Sequence, residues 1–200
     1  MMLIHIEKYL DSIKNTIDSI DRREIQNFIN ILEHTRSIGK NIYIMGNGGS
    51  ASTASHFCCD FNKGISYGKS LKKRYKCICL NDNVPTMMAY ANDVNYDDIF
   101  VEQLKNFLAS GDLVIGISGS GNSENVIRAI NYANSVDAET FSLTGYSGGI
   151  LKNISKYSLH IPVSNMQIAE DLHLVMFHLT VSLLYQALLE KKEEILIGDM

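Results

Sequence analysis

With 200 residues, 46% of them hydrophobic, the chain is long enough to bury a continuous core as a single domain, 1–200, without disulfide or metal staples. Its 18 basic and 22 acidic residues give a net charge of -4 and form no basic block, which argues against nucleic acid or an anionic membrane as a direct partner. The first residues lack a basic-then-apolar leader pattern and no uninterrupted apolar run approaches a membrane span, so a soluble, cytoplasmic protein is expected.

In chain order, residues 3–38 carry apolar positions at helical spacing, broken at Asp21, a plausible N-cap, and predict two helices. The β-rich run 41–45 then ends in Gly46-Asn47-Gly48-Gly49-Ser50, after which helix formers continue to Phe61. Residues 64–74 are polar and basic and read as a flexible loop. Further strands are expected at 76–80, 112–117, 139–143 and 157–161, and helices at 84–91, 97–108, 124–135 and 166–189. Strand alternating with helix argues a doubly wound parallel α/β sheet covered on both faces. The cysteines form the pairs Cys58-Cys59 and Cys77-x-Cys79, neither with C-x-x-C spacing, and read as buried free thiols.

Ligands of such sheets sit beyond the carboxyl ends of the strands, where helix N-termini direct free N–H groups into the crevice. Two glycine loops belong there: 46–50, with Asn47, Gly48 and Ser50, and Ser118-Gly119-Ser120-Gly121-Asn122-Ser123. The second places three hydroxyls beside the unpaired amides of a helix start, which suits a phosphate monoester. A blander reading, in which serine caps the helix and glycine turns the chain, stands beside it. Neither loop matches a P-loop or G-x-G-x-x-G, so no nucleotide cofactor is expected, and without lysine or arginine binding rests on hydroxyls and dipoles.

Acid–base residues lie on two helices. His56 and Asp60, four apart, share a face. On the last helix, Ser164 and Gln167 suggest a capping box, and Glu170 and His178 fall in one sector while His173 points elsewhere. Sugar isomerisation needs a base at carbon and an acid at oxygen, types that Asp60, Glu170 and His178 supply. His56, Asp60, Glu170 and His178 could alternatively hold zinc. His173 reads as structural.

These residues resemble the SIS (sugar isomerase) domain family and, within it, the phosphoheptose isomerases. The likeness is carried by the 46–50 loop with His56-Phe57, Ala91-Asn92-Asp93, the 116–123 loop, Leu143-Thr144-Gly145-x-x-Gly148-Gly149, and Glu170-x-x-His173 with His178. It implies a three-layer, flavodoxin-like subunit with a five-stranded sheet, two N-terminal helices (1–38) used in oligomer packing, a long C-terminal helix, and a homotetramer. It further implies phosphate held by Ser50, Ser118, Ser120 and Ser123, with Gly48 and Gly119 in the binding loops, and sugar held by Asn47 and Asp93. The implied reaction converts sedoheptulose 7-phosphate to D-glycero-D-manno-heptose 7-phosphate through an enediol. The family's catalytic histidine falls on His178 and its metal-binding histidine on His56. Two positions depart: Asp60 stands for a glutamate and Glu170 for a glutamine, so base and metal roles are expected to be shared between the two carboxylates. A non-catalytic SIS adaptor, a phosphosugar sensor and an isomerase of another phosphosugar remain the rivals.

Overall fold

The computed structural model describes residues 2–67 and 71–198. Helices α1 (Met2–Ser19) and α2 (Arg22–Ile38) open the chain. Asp21 caps α2, its carboxylate accepting the Arg23 N–H at 2.9 Å, and Gly39, at φ +80°, closes it by donating to the Thr35 and Arg36 carbonyls. There follow β1 (Ile42–Gly46), α3 (Gly49–Cys59), β2 (Cys77–Cys79), α4 (Val84–Asp93), α5 (Val101–Phe107), β3 (Leu113–Ser118), α6 (Glu124–Ser135), β4 (Glu139–Thr144), α7 (Gly149–Ile154), β5 (Tyr157–His160) and α8 (Met166–Gly198).

The five strands are parallel in the order β2-β1-β3-β4-β5, with Ile44 opposite Cys79 on one side and Ile115 on the other. Strand periodicity divides their side chains between two cores. Ile42, Ile44, Ile115, Phe141 and Leu143 pack under α2, α3 and α8, while Tyr43, Met45 and Val114 pack under α5, α6 and α7. This is the three-layer, doubly wound architecture that the strand–helix alternation predicts. Leaving β1 the chain goes to β2 on one side and returns to β3 on the other, so strand order reverses between β1 and β3 and the two glycine loops flank a crevice there.

Several local expectations are corrected. The helix expected to stop at Phe61 continues as a π-helical turn, Asp60–Ile65, so the start of the presumed 64–74 loop is ordered, with Ile65 and Ser66 buried. The expected 97–108 helix divides into a 3-10 turn, Tyr96–Asp98, and α5. Helix α7 was not anticipated. Asn165, not Ser164, starts α8, its Oδ1 accepting the Ile168 N–H at 3.1 Å. Cys58, Cys77 and Cys79 are buried, but Cys59, one residue on in the helix, faces solvent. Residues 166–188 of α8 are long and apolar enough by composition to cross a membrane. Here Ile168, Leu172, Met176, Phe177, Leu184 and Leu188 of that stretch are buried in the core.

Candidate active site

The loop after β1 turns at Gly48, whose φ of +54° disfavours any side chain, and places Ser50, buried, in the first turn of α3. The loop after β3 folds on its own hydroxyls. Ser118 Oγ accepts the Gly121 N–H at 3.1 Å and lies 3.0 Å from Ser123 Oγ, while Ser120 Oγ accepts the Asn122 N–H at 3.2 Å. Ser123 occupies the N-cap position of α6, yet its hydroxyl makes no capping bond and faces Ser118. Simple helix capping therefore does not account for it. The loop is braced by the entry to α7: Leu151 N–H donates to Gly121 O at 2.9 Å, and a Cβ on Gly121 would stand 2.0 Å from Gly148 O. Only glycine fits that approach.

Together the loops enclose a cleft of about 140 Å³ lined by Asn47, Ser50, Ser118, Gly119, Ser120, Ser123, Met166 and Glu170, with no basic residue on its walls among the described residues. Gly48 faces an adjoining pocket of about 280 Å³ between β1 and α4 that shares Asn47 as its wall. Asp93 is not brought to the cleft. It is exposed near the end of α4, accepts from Asn92 Nδ2 at 2.7 Å, and lines a separate depression with Thr86 and Tyr90.

The acid–base residues meet at the other end of α3. His56 Nε2 lies 3.3 Å from Asp60 Oδ2, His178 Nε2 lies 3.6 Å from the same oxygen, and the two Nε2 atoms are 3.1 Å apart. A single proton can lie between the two rings. The imidazoles are about half exposed, at 50% and 49%. These three residues are the potential metal-ligating group found among the described residues. The donors fit a cation: tetrahedral zinc with bonds of 2.0–2.2 Å has ligand–ligand edges of roughly 3.3–3.6 Å, close to the spacings here.

Glu170 does not join them. A Cβ on Gly49 would fall 2.5 Å from Glu170 Oε2, so the carboxylate lies against the N-terminus of α3, where the helix dipole favours negative charge. The reason is the direction of α8. It runs beside α3 in the same sense, so Glu170 reaches the start of α3 and His178 its end, about 12 Å further along by helical rise. Sharing one sector of a helix did not make the two side chains neighbours, and the expected pairing of Glu170 with Asp60 is not formed. His173, expected to be satisfied, is buried with neither ring nitrogen hydrogen-bonded among the described residues.

Sequence reasoning missed Asn125, the second residue of α6, and Tyr96. Asn125 exchanges two hydrogen bonds with Asn47, at 2.9 and 3.0 Å, and the Tyr96 hydroxyl donates to Asn47 Oδ1 at 3.1 Å. Both stand within motifs the sequence displays, N-S-E-N and N-D-x-x-Y, but their shared partner lies far away in the chain.

A doubly wound sheet with a hydroxyl-lined loop at its switch point defines a small-molecule-binding α/β domain, and the family model of the SIS domain matches residues 8–145. The chain belongs to the SIS domain family. Within it, the chain groups with the phosphoheptose isomerases. It is 31% identical over 180 residues to the probable phosphoheptose isomerase of Thermoplasma acidophilum, covering 89% of this chain and 96% of that protein. It is 32% identical over 169 residues to the phosphoheptose isomerase of Helicobacter pylori, covering 84% and 86%. Its fold superposes on a phosphoheptose isomerase from Francisella tularensis with a TM-score of 0.83, at 24% identity, covering 93% of this chain and 99% of the other.

Proposed function

We propose that this enzyme interconverts sedoheptulose 7-phosphate and D-glycero-D-manno-heptose 7-phosphate in the cytoplasm, supplying heptose for lipopolysaccharide or capsule. The observation that carries this reading is the separation of two chemistries along α3. Serine hydroxyls gather at its start, and an imidazole–carboxylate cluster gathers at its end. From Gly49 to His56 the helix rises about 10 Å, a distance suited to a polyol whose phosphate and carbonyl are at opposite ends. Ser50, Ser118, Ser120 and Ser123 would hold the phosphate, with Gly48 and Gly119 giving the backbone close approach and Asn47 donating to the sugar. Asp93 would reach a sugar only through a second subunit or a movement of α4.

The isomerisation removes a proton from C1 of the ketose, gives a C1–C2 enediol, and returns a proton to C2, while the hydroxyl proton on O1 is lost and O2 gains one. His178 and Asp60 are the pair that would carry these protons, with His56 holding His178 in place through the Nε2–Nε2 contact. Zinc held by His56, Asp60 and His178 would instead polarise the substrate oxygens, in place of proton transfer by the nitrogens and oxygen it ligates. Glu170, beside the serine loop, is assigned to substrate orientation in the cleft rather than to the metal set.

The half-exposed histidines leave the cluster open to water, and α1 displays Met2, Leu3, Ile4 and Ile6 to solvent. Apolar exposure of that kind marks an interface, and a homotetramer packed through residues 1–38 would cover it.

The test is conversion of sedoheptulose 7-phosphate in deuterated water, followed by NMR, with native and chelator-treated enzyme. Aldose formation with deuterium at C2 is expected, and His178→Asn or Asp60→Asn should lower kcat by roughly 10²–10⁴-fold. Saturable binding of the sugar phosphate with neither conversion nor exchange would reject the isomerase in favour of a sensor or adaptor.

A further inference from the structure

Among the described residues, Asn47 is the one shared by the serine cleft and the adjoining pocket. Its amide is held in one orientation by a chain of hydrogen bonds that begins at a backbone group. The Val126 N–H donates to Asn125 Oδ1 at 3.0 Å, so that oxygen cannot be exchanged for the NH2 without setting donor against donor. Asn125 Oδ1 also accepts from Asn47 Nδ2 at 2.9 Å, and Asn125 Nδ2 donates back to Asn47 Oδ1 at 3.0 Å. The Tyr96 hydroxyl supplies a second donor to the same Oδ1, at 3.1 Å.

Both faces of Asn47 Oδ1 are thus occupied, and one Nδ2 hydrogen remains with no acceptor among the described residues. Asn125 is 2% exposed, which removes water as a competitor for the pair. Tyr96 is tethered in turn. Arg128 of α6 donates to Asp98 at 2.9 Å and lies 3.6 Å from Asp97, pinning the 3-10 turn that carries the tyrosine onto the helix that carries Asn125.

We propose that Tyr96 and Asn125 are positioning residues that lock the Asn47 amide so that a free N–H is presented to an oxygen of the phosphosugar. The inference rests on the assignment of the serine cleft as the phosphosugar site. Without the Tyr96 hydroxyl, Oδ1 loses a donor, the side chain gains rotational freedom, and the N–H is offered only part of the time.

The experiment is a double-mutant cycle with Asn47→Ala and Tyr96→Phe. It reads calorimetric binding of heptitol 7-phosphate, the C2-reduced sugar that cannot isomerise, beside turnover of sedoheptulose 7-phosphate. Tyr96→Phe is expected to weaken heptitol phosphate binding about tenfold in the wild-type background. In the Asn47→Ala background the same change should cost less than about twofold, because its partner is gone. A purely structural tyrosine would lose the same factor in both backgrounds, and that result overturns the proposal, as does undiminished binding in either single variant. Wild-type protein that binds the heptitol phosphate but does not convert the ketose would sink the isomerase reading alone, since the binding cycle still decides this one. Failure to bind the heptitol phosphate at all overturns this proposal, and the isomerase reading falls with it only where the ketose is not converted either.

Discussion

His173 lies one helical turn beyond Glu170 on α8 with 1% of its surface exposed and no well-formed hydrogen bond from either ring nitrogen among the described residues. Burial pushes its pKa down to about 4, opposed by the nearby Thr144 backbone and reinforced by His160, whose own pKa burial also lowers. The unfolded chain takes up a proton at its ordinary value of 6.5, the folded chain only near 4. Stability from this residue is therefore complete above about pH 6.5 and lost as the pH falls toward 4, on the order of 3 kcal/mol in total. Thermal unfolding between pH 7 and pH 4 should show that loss, and His173→Leu should flatten the slope without lowering Tm at pH 7. An unchanged slope in the variant would place the acid sensitivity elsewhere. At this scale the sequence indicated correctly that His173 turns away from His178. It gave no sign that the ring lacks a partner, because hydrogen-bond satisfaction depends on Thr144 and His160, which belong to other elements.

Helices α2, α3 and α8 are joined to the sheet by a cluster of rings. Phe28 stacks on Phe141 with centroids 4.3 Å apart and lies 6.2 and 5.7 Å from Phe57 and Phe177, which are themselves 4.6 Å apart. Phe57 follows His56 and Phe177 precedes His178, so this ring pair holds together the two helices that carry the imidazoles. Phe28→Ala should cost about 3–5 kcal/mol, seen as a lower denaturation midpoint in urea. Phe28 touches none of the proposed reacting groups, so the folded fraction should still turn over substrate. An unaltered midpoint would show that the rings repack around the gap. The amphipathic spacing of α2 and the β-rich runs were legible in the sequence because each is a local periodicity. Helix α7 was not, since its six residues are too short to show a period and its start depends on the contact between Gly121 and Gly148.

For the molecule as a whole, the exposed apolar face of α1 makes a testable demand. With Leu3 at 75% and Ile6 at 46% exposure, the double variant Leu3→Glu, Ile6→Glu should shift sedimentation from an oligomer toward smaller species and reduce turnover, while circular dichroism stays unchanged. A wild-type monomer would refute the interface. The sequence by itself determined the layered α/β class, the two glycine loops at strand ends, the capping of α2 by Asp21 and the pairing of His56 with Asp60. All of these follow from periodicity, turn chemistry or neighbours four residues apart. Tertiary structure decided the rest: that α8 runs alongside α3 and separates Glu170 from the His56–Asp60–His178 cluster, that Asp93 lies away from the cleft, and that Asn47 is locked by Tyr96 and Asn125. Helix phase fixes the direction in which a side chain leaves its own axis, but which axis lies opposite, and in what sense it runs, is set by the packing of distant segments on a shared sheet.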